Sequence, residues 1–145
     1  VTADTPITFG EEVKGTIPQK GGQNYYTFDG KPGQKLFYDA LGGDYFRVYI
    51  YDPNGRLMVD DGNWYEGGGA NSRYDIGPEW GLTLTMDGTY RITVDGRGEG
   101  TGNYKFRLLD LSNAPVVNLD TTIEGTLNSA AGSVAYRFNV DTKQY

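Results

Sequence analysis

Five aspartates crowd one stretch of the chain: Asp39, Asp44, Asp52, Asp60 and Asp61. Calcium takes about six to eight oxygens, often carboxylates and loop carbonyls, and glycine-rich turns expose carbonyls well. If a cation binds, Asp44, Asp60 and Asp61 are the expected ligands, and calcium is the one cofactor these residues suggest. Asp60-Asp61-Gly62-Asn63 lacks the full acidic spacing of an EF-hand loop, so solvated turn acids are the favoured expectation. Trp64, Tyr65 and Trp80 lie on or beside a long run of turn-forming residues, 60–79. Flat aromatic faces can bury the apolar side of a sugar ring, which makes these three the candidate ligand-binding residues. The competing expectation is that they cap an open end of the fold or meet a neighbouring subunit.

Catalysis finds little to work with. The chain has no His and no Cys, which removes the usual general base and the thiolate nucleophile. A carboxylate pair can run glycoside hydrolysis, but nothing distinguishes any pair here from turn acids. The glycine-rich run 96–102 lacks the Gly-x-Gly-x-x-Gly spacing of a dinucleotide site, and no helix follows to receive a phosphate. No catalytic residue is expected, and the chain is read as a non-enzyme.

The elements that position these residues have a period of two. Phe46, Val48 and Ile50 alternate with Tyr45, Arg47, Tyr49 and Tyr51. Tyr90, Ile92 and Val94 do the same, as do Tyr104, Phe106 and Leu108, and Leu36, Tyr38 and Ala40; Leu82 and Leu84 form a weaker set. Each set offers one face to a core and one to solvent or a neighbour, as antiparallel sandwiches require. Asp52-Pro53-Asn54-Gly55 and Asp87-Gly88 supply turn chemistry between the runs. The spacing predicts an all-β fold, an antiparallel β-sandwich of seven to nine strands.

The chain also repeats itself. A shift of 110 residues places Gly15-Thr16-Ile17 on Gly125-Thr126-Leu127, Gly22 on Gly132, Tyr26 on Tyr136, Phe28 on Phe138 and Gln34 on Gln144. These are six identities, where chance gives roughly one or two at ordinary residue frequencies. Apolar positions also match, with Ile7, Phe9 and Val13 falling on Val117, Leu119 and Ile123. Residues 1–112 therefore read as one complete domain. Residues 113–145 read as a linker, at Asn113-Ala114-Pro115, and the first part of a second copy. Roughly thirty residues bury too little surface to fold alone. Val117, Leu119, Ile123, Leu127, Tyr136 and Phe138 are thus expected to pack on another sheet, by strand donation to a neighbouring subunit or by packing between domains; the competing expectation is a second copy cut short, with the rest of its core missing.

Taken in order, Gly15-Thr16-Ile17, Tyr25-Tyr26-Thr27-Phe28, Pro32-Gly33-Gln34, Ile50-Tyr51-Asp52-Pro53-Asn54-Gly55, Gly88-Thr89-Tyr90-Arg91-Ile92-Thr93-Val94 and Gly102-Asn103-Tyr104-Lys105-Phe106 resemble the bacterial pre-peptidase C-terminal domain family, especially versions repeated in large secreted or surface proteins. The resemblance implies a jelly-roll-like sandwich, an extracellular or cell-surface location and a non-catalytic role; some members bind calcium, and some bind collagen or polysaccharide. Acidic residues often precede the Tyr-Tyr pair in that family, whereas Gln23-Asn24 do here.

Charge and length bound the rest. The net charge of −6 repels phosphate backbones, so nucleic acid is not an expected partner. No stretch approaches the roughly 18 apolar residues of a membrane span, so no membrane insertion is expected. The chain starts at Val1 with neither Met nor an apolar leader, the pattern expected of a processed or excised piece. The function expected is a structural or adhesive repeat of a stalk or fibre, its partners neighbouring repeats or subunits of the same protein. The alternative is an accessory module of a secreted hydrolase that binds extracellular polysaccharide or protein.

Overall fold

The computed structural model describes residues 4–44, 46–59, 75–78, 81–96, 101–113 and 133–138. Within them lie eight strands: β1 (Thr5–Pro6), β2 (Glu12–Ile17), β3 (Gln23–Gly30), β4 (Leu36–Gly43), β5 (Arg47–Tyr51), β6 (Leu57–Val59), β7 (Gly88–Asp95) and β8 (Gly102–Asp110). One sheet has the order β1-β3-β7-β5-β6, the other β2-β8-β4. Every pairing is antiparallel except that of β1 with β3. The fold is an all-β sandwich. Among the described residues no helix is long and apolar enough to cross a membrane.

Alternation builds the core. Tyr26 and Phe28, Val48 and Ile50, and Tyr90, Ile92 and Val94 come from the larger sheet. Val13 and Ile17, Leu36, Tyr38 and Ala40, and Tyr104, Phe106 and Leu108 come from the smaller. Full burial of one such side chain contributes roughly 1.5–3 kcal/mol. The rings also find specific partners: Phe28 stacks on Tyr90 at 5.2 Å and Tyr38 on Phe106 at 5.3 Å, while Tyr26 meets Phe106 edge-on at 5.5 Å. Such pairs add about 0.5–1.5 kcal/mol beyond area burial.

The Asp52-Pro53-Asn54-Gly55 turn links β5 to β6. Asp52 Oδ1 accepts the N–H groups of Asn54 and Arg56, each at 2.9 Å, which closes the turn on its own side chain. Leu82 and Leu84 depart from expectation. They are buried, but they form no strand. The segment touches β4 through a bridge between Lys35 and Thr83 and through bonds from Leu36 N–H to the Leu82 carbonyl and from Leu84 N–H to the Gln34 carbonyl. An apolar pair that follows Gly81, at φ +111°, is too short to extend a ladder.

Candidate functional site

Asp44 follows β4 and is tied to β8. Its N–H donates to the Asn103 carbonyl at 2.8 Å, and its Oδ2 accepts the Asn103 N–H at 3.1 Å. Gly102 lies so close that a β-carbon there would strike the Asp44 carboxylate. Asp60, Asp61, Trp64, Tyr65 and Trp80 lie outside the described residues, as do Val117, Leu119, Ile123 and Leu127. The other two residues of the expected donated segment, Tyr136 and Phe138, are exposed. Among the described residues no three acidic side chains gather around one point where a metal could sit.

A different group converges. β4 and β8 run antiparallel with Asp39 opposite Arg107. Their strand neighbours Tyr38, Ala40, Phe106 and Leu108 belong to the core, so this pair lies on the outer face of the three-stranded sheet. Asp39 was expected with the other acids to be solvated, yet its side chain has no exposure at all. Arg107 Nη2 meets Asp39 Oδ2 at 2.6 Å while keeping 27% of its own side-chain exposure. On the far side of β4, Tyr38 bridges to Ile76, which brings Asp75 beside Asp39. Asp75 Oδ1 accepts the Ala40 N–H at 2.7 Å.

The cover over Asp39 comes from far along the chain. The Ser133 N–H donates to Asp39 Oδ2 at 3.2 Å, and its carbonyl accepts from Arg107 Nη2 at 2.6 Å. Its side chain lies close enough to Asp75 to act on that carboxyl. Ser133 thus bonds both Asp39 and Arg107 and lies beside Asp75. Burial pushes the Asp75 carboxyl above the usual carboxylate range, and the charge of Asp39 adds to this. The Ala40 N–H and the Ser133 hydroxyl pull the other way. Beneath the cluster, burial raises the Tyr38 hydroxyl far above its ordinary value. The sequence marks Asp39 and Arg107 only as outward strand positions, and nothing local signals that residue 133 would lie over them.

The outer face of the larger sheet is polar and aromatic. Tyr25, Thr93 and Tyr49 form one row across β3, β7 and β5, and Thr27, Arg91 and Tyr51 form the next. Arg91 lies 5.3 Å from the centroid of the Tyr25 ring and pairs with Asp4 at 2.9 Å. An open groove of about 390 Å³ runs beside it, lined by Asp4, Tyr51, Asp52, Pro53 and Arg91 among others.

No family model matches the chain, and no curated protein matches it in sequence. Among solved structures it is similar to the pre-peptidase C-terminal domain of collagenase from Bacillus anthracis, at 14% identity and a TM-score of 0.48, over 74% of this chain and 96% of that one. It is also similar to PliG, a periplasmic lysozyme inhibitor of g-type lysozyme, from Salmonella Typhimurium, at 20% identity and a TM-score of 0.49, over 73% and 96% of the two chains. PliG from Aeromonas hydrophila gives 16% identity and a TM-score of 0.48, over 74% and 96%.

Proposed function

We propose that the chain is a non-catalytic β-sandwich repeat of an extracellular or cell-surface bacterial protein, with a structural or adhesive role. The supporting observation is what the repeat keeps. In the first copy, all six residues that recur at the 110-residue shift serve the scaffold. Gly15 sits against the Tyr104 and Tyr26 hydroxyls. The Thr16 hydroxyl donates to Asn103 Oδ1 at 2.7 Å, and the Gly22 N–H closes a turn on the Gln19 carbonyl. Tyr26 and Phe28 fill the core. Gln34 joins the Lys31 N–H to the Asp110 carboxylate, both bonds at 2.8 Å. A module whose repetition keeps core, turn and bracing residues fits a building unit better than a reaction centre.

Two measurements test this reading. Antibodies against the purified chain should label the outside of intact cells that make the parent protein. The purified chain should turn over neither peptides nor glycosides. Turnover that survives re-purification and is lost on a single carboxylate substitution would overturn the proposal.

The second reading, an accessory module that binds a polymer, is favoured by the Tyr25, Tyr49, Tyr51 and Arg91 face and its groove. Its volume falls in the roughly 300–1,000 Å³ range of small-ligand sites. A glycan array probed with the chain separates the two readings: retention that is lost in Tyr51→Ala would favour the accessory role.

A further inference from the structure

We propose that the outer face of the three-stranded sheet is the docking surface for the following copy of the domain, with Ser133 as the contact that fixes its position. The inference rests on the repeat reading above and adds how one copy holds the next.

The 110-residue shift places Ser133 on Gln23, the first residue of β3. Segment 133–138 is therefore the second copy's counterpart of the start of β3. Its core-type residues Tyr136 and Phe138 are 38% and 55% exposed, whereas their counterparts Tyr26 and Phe28 are buried. What docks is thus the polar lead-in to the strand. On this proposal the apolar side chains are kept for the second copy's own core.

The chemistry of the contact is complementary. A buried carboxylate needs donors, and Asp39 receives one from Arg107 and one from the Ser133 amide. Arg107 in turn donates to the Ser133 carbonyl, and Asp75 lies beside the Ser133 side chain. A donor and an acceptor on one residue meet partners on two adjacent strands, with the hydroxyl turned toward the segment beside them. Two opposed bonds on one peptide unit set the place of the incoming chain.

The chain contains no Cys, so paired spin labels can be introduced at Lys31→Cys and Tyr136→Cys in the full chain. Docking gives one narrow distance distribution by double electron–electron resonance. Ser133→Pro, which removes both the amide donor and the hydroxyl, should broaden it severalfold while leaving the main melting transition in place. If Ser133→Pro fails to fold, hydrogen exchange on the unsubstituted chain decides. The Ser133 amide should exchange at least tenfold more slowly than in an unstructured peptide. A broad distribution without the proline, an equally narrow one with it, or unprotected exchange at Ser133 would overturn docking. These outcomes leave the non-catalytic reading standing, whereas enzymatic turnover would remove that reading and leave the distances untouched.

Discussion

The hydroxyls of Tyr26 and Tyr104, one from each sheet, meet at 2.5 Å in the sandwich interior, against the bare α-carbon of Gly15. Gly15 is the cross-strand partner of Tyr104 on β2 and β8, so the two rings close over a position where a side chain would collide with both. This relationship accounts for two of the six repeated identities, Gly15 with Gly125 and Tyr26 with Tyr136.

Gly15→Ala should therefore destabilise the sandwich. The added methyl must push aside Tyr104, which is held by edge-on contacts with Tyr26 and Phe46. Overpacking of this kind costs about 1–3 kcal/mol. Urea denaturation monitored by far-UV circular dichroism measures it, and an unchanged midpoint would show that the ring yields freely.

Asn24→Asp should destabilise it for a different reason. The Asn24 amide donates to both the Thr16 carbonyl at 3.0 Å and the Tyr104 hydroxyl at 2.8 Å. A carboxylate has no proton for the carbonyl, and we expect a loss of about 1–2 kcal/mol at neutral pH. Part of it should return as the new carboxyl protonates in acid. Equal melting temperatures for the two proteins at pH 7 would rule this out. The same bonds explain why an amide stands where an acidic residue often precedes the Tyr-Tyr pair in the family that the motifs resemble.

The fold was legible where strands are long enough to show a period. β4, β5, β7 and β8 follow their alternating sets. β1 and β6, of two and three residues, are too short to carry any periodicity, and the Leu82–Leu84 pair misleads for the same reason. The site was far less legible. Asp39 and Arg107 occupy outward positions that look solvated, yet both bond Ser133, which no local pattern connects to either. Asn24 could be recognised as a departure, but its reason lies in a carbonyl and a hydroxyl brought together only by the fold.

Replacing Arg107 with Met should leave Asp39 buried without its cation. Removing one partner of a buried pair costs about 3–5 kcal/mol, and the remaining exposure of Arg107 places the loss at the low end. The double substitution Asp39→Leu with Arg107→Met should recover most of it, since no charge is then stranded. Thermal denaturation of the two variants measures this, and a double variant as unstable as the single one would refute it.

Asp75 gives the junction a pH dependence with a definite sign. Its folded pKa is raised by burial above an unfolded value of about 3.9. The stability it contributes is complete below that unfolded value and is lost as pH rises through the folded one. Asp75→Asn keeps an acceptor for the Ala40 N–H but removes the charge. It should be the more stable form at neutral pH, with its advantage shrinking toward pH 4. Melting temperatures of both proteins across that range decide, and a constant difference would contradict the assignment.

Alkali should act through Tyr38 and Tyr104. Burial raises both hydroxyls, and the hydrogen bond shared with Tyr26 raises Tyr104 further. Unfolded tyrosines ionise near pH 10, so the stability these two contribute is intact below about pH 10 and is lost as pH climbs toward their folded values. A cooperative rise in tyrosinate absorbance should coincide with loss of the β-sheet signal. Full ionisation of all 12 tyrosines in an intact fold would exclude this account.

β2 and β8 lie side by side and antiparallel, from Glu12 opposite Arg107 to Ile17 opposite Gly102. The chain therefore enters the smaller sheet and leaves it at the same end. In an array of the proposed kind, each folded copy adds little more than its own width to the string. Pulled taut, about 110 residues reach roughly 360–400 Å. Tension on the two ends would first draw off the two-residue β1 and then open this ladder one pair at a time from Glu12, whereas a shear geometry would load all the pairs together. A string of such copies is a store of length: it yields under modest pull by opening single members, and it shortens again as each sandwich refolds.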